Sequence, residues 1–364
     1  MNSLKKNDNP YTLQFSYHPP LFINRTLITD ELLNNFTRRV PTYRGVFVTG
    51  VRGCGKTVML AEIRNRLSQE DNWISVDINP EGSLLASLAA NLYMMPELRS
   101  LFIKASLDFS IIGIGAHIEN AEMVASDDET AVRLMLNVLK KKGIKLLVTI
   151  DEITYSQSVA IFFHALSSYT NSDLDIYVLM TGLRDNINNI KNKPSLTFLY
   201  RAKIVELDAL NVTLITDSYQ KSLNLSKTQA EDIAYKTRGY SLAFQAFGYH
   251  YWNAISDAGK YEKVDISETD RMVGITLTEL AYDKIWDELS ETDKRIVKAM
   301  VMITHEKESD LAKVEDIRAK TDMTSDSFSK YRERLIQSGI ADGKQYGYLK
   351  FALPLFDEFV SSKR

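Results

Sequence analysis

The sequence predicts an α/β protein in which a parallel sheet flanked by helices is followed by a helical lid subdomain and a winged helix-turn-helix domain. Three observations carry this. Compact apolar runs alternate with helical patterns in the first half, helical periodicity dominates the middle, and residues 281–364 read as three helices followed by a hairpin. Buried strands alternating with helices mark a parallel sheet covered on both faces, because each parallel crossover needs a helix.

The elements can be justified in order. The runs 46–48, 73–78, 144–150 and 176–181 are short and apolar, and 202–207 is a weaker fifth. Helical spacing appears at 84–95 and 130–142. Between them, 111–118 alternates like a small surface hairpin, and its His117 has no Cys or His at ligand spacing. The sheet core is expected to span 1–210. Apolar i, i+3, i+4 spacing runs from 211 to 258, broken at Thr237-Arg238-Gly239-Tyr240, and resumes at 272–289. A small helical subdomain is therefore expected at 211–280, to which the resemblance described below assigns the part of a lid. Ser290-Glu291-Thr292-Asp293 resembles a capping box opening a helix over 294–302. Helices at 314–321 and 325–337 follow, Gly339 stands at a helix-ending position, and 340–353 alternates as a hairpin. These form the winged module, 281–364.

Composition narrows the class. A chain of 364 residues holds two or three domains at roughly 100–200 residues each. Its net charge of −3 carries no global signature of nucleic-acid binding, so any such contact must come from a local basic patch. The single cysteine, Cys54, makes no intrachain disulfide, which fits a reducing cytoplasm. No apolar core follows the lysines at the start, and the longest apolar stretch, 109–118, is far short of the roughly 20 residues of a membrane span. A soluble cytoplasmic protein without membrane contact is expected.

The chemistry is concentrated in a few motifs. Residues 50–57 read G-x-x-x-x-G-K-T between a strand and a helix. Gly50, Gly53 and Gly55 let the backbone N–H groups of a loop that includes Arg52 and Cys54, and runs on to Val58, curl around phosphates. Lys56 places a charge on the outer phosphates, and the Thr57 hydroxyl completes Mg²⁺ coordination. The helix starting near Lys56 adds its positive dipole end. ATP or ADP with Mg²⁺ is the expected ligand. The run 146–152 is an apolar strand ending in Asp151-Glu152. Asp151 is suited to hold Mg²⁺ through water and Glu152 to polarise a water against the γ-phosphate, which favours hydrolysis over a small-molecule kinase reaction. Thr181 ends the next strand, from which its hydroxyl can sense the γ-phosphate or orient the water. Arg201, just before the fifth strand, is placed to act as an arginine finger on a phosphate bound by a neighbouring subunit, with Arg184 as second candidate. Homo-oligomerisation on ATP binding is the matching expectation.

These motifs, with Asn9-Pro10-Tyr11, Pro19-Pro20-Leu21, Asn24-Arg25, Thr181-Gly182, the segment 194–201 and Thr237-Arg238-Gly239-Tyr240-Ser241, resemble the AAA+ ATPases of the origin-recognition and initiator group and the allied prokaryotic STAND-like ATPases. The terminal segments 328–332 and 346–354 are similar to the winged-helix domain of the same proteins. The resemblance covers nearly the whole chain. It implies that Pro10, Tyr11, Asn24 and Arg25, in the N-terminal segment 1–40, lie near adenine and ribose, and that the segment around Gly239 to Leu242, with Tyr240, forms a lid over the nucleotide. Two residues depart from the pattern: Asn24 stands where glycine is common, and Ser241 where proline is. The lid also lacks a clear arginine for the γ-phosphate, since Arg238 precedes the glycine.

Two outputs are open to such a switch. On the third helix of the module Phe328, Tyr331 and Leu335 form the inward stripe, leaving Lys330 and Arg334 outward and Arg332 at the margin, while Lys344 and Lys350 lie on the wing. These five cations are suited to double-stranded DNA, with the helix in the major groove. Against this, residues 281–364 hold 15 basic and 16 acidic residues, whereas DNA-binding modules carry positive excess. The alternative is a signalling ATPase holding ADP, its winged helix used for intramolecular or protein contacts.

Overall fold

A computed structural model describes residues 8–14, 19–114 and 123–363. The chain forms two compact units. One, the sheet unit, comprises Thr26–Thr49 and Lys56–Glu206; the other, the helical unit, comprises residues up to Arg25, Gly50–Gly55 and the chain from Leu207 onward.

The sheet unit runs α1 (Thr26–Thr37), β1 (Gly45–Thr49), α2 (Lys56–Leu67), β2 (Trp73–Asp77), α3 (Leu84–Met94), α4 (Pro96–Lys104), β3 (Leu107–Asp108), β4 (Met123–Val124), α5 (Asp128–Lys141), β5 (Lys145–Ile150), α6 (Gln157–Asn171), β6 (Ile176–Gly182), α7 (Arg184–Lys191) and β7 (Lys203–Glu206). Its main sheet is five-stranded and parallel, in the order β2-β5-β6-β1-β7. The strands are mostly apolar because helices cover the sheet, and Phe47, Val148, Ile150, Val178 and Met180 are all fully buried. Side chains cap the helices at their starts: Asp127 accepts from the Thr130 N–H ahead of α5, and Ser156 from the Val159 N–H ahead of α6.

One expected element differs. Where the alternation at 111–118 suggested a hairpin, Ser110–Ile112 is a turn of 3₁₀ helix ended by Gly113 at φ +78°. The local pairing is β3 with β4, in parallel. The remainder of that segment, His117 included, lies outside the described residues.

The helical unit continues with α8 (Val212–Ser222), α9 (Lys227–Lys236), α10 (Ser241–Ala258), α11 (Ile266–Leu277), a π-helical turn (Thr278–Tyr282), α12 (Asp283–Glu288), α13 (Glu291–Glu306), β8 (Ala312–Lys313), α14 (Val314–Thr321), α15 (Ser325–Gln337), β9 (Ala341–Asp342), β10 (Tyr348–Phe351) and α16 (Phe356–Ser362). The box at 290–293 forms as its sequence suggests, Ser290 and Asp293 each accepting from the other's backbone N–H. Among the described residues, the last three short strands make one antiparallel sheet in the order β8-β10-β9.

The N-terminal segment is built into this unit's core. Tyr11 packs on Tyr219 and Phe244 at ring separations of 5.9 and 5.5 Å, and its hydroxyl meets Ser222. Its ring lies where a side chain at position 248 would stand: a Cβ on Gly248 would come within 2.2 Å of it. Gly248→Val is therefore expected to destabilise the chain by about 1–3 kcal/mol through overpacking, against only a few tenths of a kcal/mol recovered in helix propensity. Urea denaturation checks this, and an unchanged midpoint would show that Tyr11 is not locked in place.

Candidate functional site

In the sheet unit the site starts from strand register. Thr149 pairs with Leu179 and Ile150 with Met180, which carries Asp151 alongside Thr181 as the two strands end. The Thr57 hydroxyl donates to Asp151 Oδ2 at 2.7 Å, and the Thr181 hydroxyl donates to Asp151 Oδ1. Both oxygens of one carboxylate are thus held by hydroxyls from α2 and β6. Glu152 adopts φ +54°, a left-handed conformation that few non-glycine residues take. Its backbone is pinned there, because the Glu152 N–H donates to Thr181 Oγ1 at 2.9 Å and the Ile153 N–H to the Thr181 carbonyl at 2.7 Å. The turn exposes the Glu152 side chain beside a half-buried Asp151.

Thr181 consequently has a different place from the one expected of it. Fully buried, with its hydroxyl engaged by Asp151 and the Glu152 N–H, it positions the two acids and offers nothing to a γ-phosphate. Lys56 is buried and Thr57 exposed at the first turn of α2, with Val58 half-buried behind them. Arg201 ends the 3₁₀ segment Pro194–Arg201, exposed and without an ion pair or hydrogen bond among the described residues. Arg184 pairs with Glu206 at 3.4 Å.

In the helical unit the loop Gly50–Gly55 is braced through its carbonyls. The Tyr240 hydroxyl donates to the Arg52 carbonyl at 2.6 Å, the Leu242 N–H to the Gly53 carbonyl at 3.0 Å, and the Ser241 hydroxyl to the Cys54 carbonyl at 2.8 Å. Arg25 donates to the Cys54 and Asp208 carbonyls. Gly53 has φ +77°, and a Cβ there would meet the Tyr240 hydroxyl at 2.4 Å, so glycine is required on both counts. Cys54 is 4% exposed, its sulfur 2.6 Å from where a Cβ on Gly50 would lie. Ser241 supplies one of these braces.

The N-terminal residues therefore need correction. Tyr11, expected near adenine, is 2% exposed and enclosed by its own core, leaving no ring face for a base. Tyr240 is likewise buried, stacked at 6.5 Å on Tyr282, and its hydroxyl serves the loop backbone. Burial raises the Tyr240 phenol well above its ordinary range, which keeps it a donor. Arg25 braces the loop, and Pro10 and Asn24 are half-buried.

Sequence pattern missed a second set of contacts on the same loop. Arg52 forms an ion pair with Glu288 of α12 at 3.1 Å, and Val51 lies 3.0 Å from the Cβ position of Gly339, just past α15. Tyr282 continues the Tyr240 stack onto Phe356 at 5.0 Å. Arg238, at φ +49°, donates to the Phe351 and Leu353 carbonyls at 2.8 and 3.1 Å. The loop and the C-terminal helices share one packed body.

The cations expected to face DNA divide into two groups. Lys330 and Lys344 are exposed, and Lys350 stands 3.9 Å from Asp342. Arg332 donates to the Gly343 carbonyl at 3.3 Å. Arg334 is not a bare outward charge: it pairs with Asp293, whose side chain is 3% exposed, donates to Ser290, and lies over the Tyr331 ring. The buried carboxylate at the start of α13 holds it.

The chain is similar to solved structures of matching length, among them the following. The Walker-type ATPase of Pyrococcus abyssi is 17% identical, with 94% of this chain and 96% of that one covered at TM-score 0.62. The ORC2 protein of Aeropyrum pernix, in its ADPNP-ADP complexes, is 12% identical over 96% and 97% at 0.60. Cdc6p from Pyrobaculum aerophilum is 16% identical over 96% and 95% at 0.51. The chain shares the fold of these three proteins. Within that fold, residues 279–360 match a family described as a domain of unknown function, DUF8462. No curated protein matches the sequence. No helix among the described residues is long and apolar enough to cross a membrane.

Proposed function

We propose that the chain is an ATP-binding and ATP-hydrolysing switch whose nucleotide state acts on its C-terminal helices. The observation that carries this reading is the hydrogen-bonded set Thr57–Asp151–Thr181 with Glu152 turned out beside it. A hydroxyl and a carboxylate 2.7 Å apart are hard oxygen donors of the kind Mg²⁺ takes, so Thr57 and Asp151 are the residues to hold that ion. Mg²⁺ supplies charge neutralisation across the outer phosphates. Lys56 places its ammonium on the same phosphates, and the loop Gly50–Gly55 lends its backbone N–H groups. Glu152 accepts a proton from the attacking water, Thr181 holds both acids in place, and Arg201 is an exposed candidate for stabilising charge in a neighbouring copy. The nucleotides bound by the Aeropyrum pernix ORC2 protein support ATP and ADP as ligands here.

Two outputs follow the same switch. DNA contact through a winged helix formed by α13–α15 and the β8-β10-β9 sheet rests on Lys330 and Lys344, with Lys350 beside them; Arg332 and Arg334 serve the fold. The intramolecular reading is favoured by the Arg52–Glu288 and Val51–Gly339 contacts, which tie the loop to the C-terminal helices directly. Phosphate release from ATP by the full chain tests the shared reading. Fluorescence anisotropy on labelled duplex DNA, with ADP and with a nonhydrolysable ATP analogue, separates the outputs. Salt-sensitive binding in one nucleotide state that a Lys330→Ala, Lys344→Ala double variant loses is the result expected of DNA contact. Binding in neither state leaves the intramolecular output alone.

A further inference from the structure

A trans peptide unit points the carbonyl of one residue and the N–H of the next to opposite sides. In the phosphate loop, holding the Arg52 carbonyl therefore aims the Gly53 N–H, and holding the Cys54 carbonyl aims the Gly55 N–H. Both carbonyls are held. Arg52 accepts from the Tyr240 hydroxyl at 2.6 Å, and Cys54 from the Ser241 hydroxyl at 2.8 Å and from Arg25 Nη2 at 3.0 Å. The Cys54 N–H between them is used inside the loop, donating to the Val51 carbonyl at 3.1 Å. The Gly53 and Gly55 N–H groups make no hydrogen bond among the described residues. Both glycines have positive φ, +77° and +96°, the kind of backbone in which nearby N–H groups form a concavity for an anion. Two donors thus stand open on the side away from two held carbonyls.

The holding hydroxyls come from one place. Tyr240 is the N-cap of α10 and Ser241 its first residue, and the Tyr240 ring is itself fixed by its stack on Tyr282. We propose that Tyr240 and Ser241 are positioning residues of the nucleotide site: without touching the ligand, their hydroxyls aim the Gly53 and Gly55 N–H groups at a phosphate of a nucleoside di- or triphosphate. Losing either hydroxyl frees a peptide unit to rotate, and reordering it then subtracts from the free energy of binding. A bound phosphate in turn polarises each amide and strengthens the hydroxyl bond on its far side. The start of α10 therefore registers an occupied loop. This role rests on the nucleotide reading of residues 50–57 and is separable from it by measurement.

The test is calorimetric titration of the full chain with ATP and with ADP, set beside the Tm of the free chain. Tyr240→Phe and Ser241→Ala are each expected to weaken both nucleotides by about 2- to 10-fold, the share of one neutral hydrogen bond. Ser241→Thr keeps a hydroxyl and is expected to restore wild-type affinity. Tyr282→Phe serves as the structural comparison: it removes a buried hydroxyl that donates to the Pro354 carbonyl rather than to the loop, and is expected to lower Tm while the affinity of the folded chain stays as it was. If Tyr240→Phe and Ser241→Ala behave in that same way, losing Tm but not affinity, their hydroxyls only hold the fold and the positioning role is overturned. Weakening in Ser241→Ala that Ser241→Thr fails to reverse overturns it as well, and the two Ser241 variants decide the matter alone if Tyr240→Phe does not fold. A wild-type chain that takes up neither ATP nor ADP would sink the nucleotide reading itself, and this role with it.

Discussion

Glu152→Gln is expected to keep ATP binding while turnover falls by roughly 10²- to 10⁴-fold, the usual share of a positioned general base. The substitution is nearly isosteric, and the unusual backbone at Glu152 is held by main-chain and Thr181 contacts that a glutamine leaves intact. Asp151 keeps both of its hydroxyl partners. Binding and chemistry therefore separate at this residue. Single-turnover hydrolysis alongside titration with a fluorescent ATP analogue measures both, and full turnover in the variant would remove Glu152 from the role of base.

Lys56→Ala is expected to act one step earlier. A charge-assisted hydrogen bond contributes about 1.5–3 kcal/mol, so losing the ammonium should weaken ATP by at least about 10- to 100-fold. The braces from Tyr240, Ser241 and Arg25 act on loop carbonyls and do not involve the Lys56 side chain. The variant should therefore fold normally, which makes the comparison clean. Wild-type affinity in Lys56→Ala, measured by calorimetry, would place the phosphates elsewhere.

The parallel sheet was legible because a strand covered on both faces must be apolar throughout, and 146–150 and 176–180 leave no other reading. Asp151-Glu152 was legible for a related reason: two acids directly after such a run fall at its carboxyl end. Thr181 was half legible. Its position at a strand end was plain, but its partners depend on the register of β5 against β6, which no local pattern encodes. Tyr11 was misplaced because the space its ring fills is opened by Gly248, far along the chain and silent in any motif. Arg334 was misread for a similar reason. Helical spacing turns it outward, yet Asp293, visible only as a capping residue, also reaches across to hold it. The Arg52–Glu288 pair had no signal at all, since ion pairs between distant segments leave no period in a sequence.

Cys54 gives the loop a built-in reporter. It is the single thiol of the chain, buried in the braced loop and closed against Gly50. Any alkylating reagent that labels the protein stoichiometrically must therefore wait for the loop to leave its braces, and the labelling half-time becomes a clock for that opening. Nucleotides that hold the loop should stretch the clock and those that loosen it should shorten it, so the opening can be timed without adding a label anywhere.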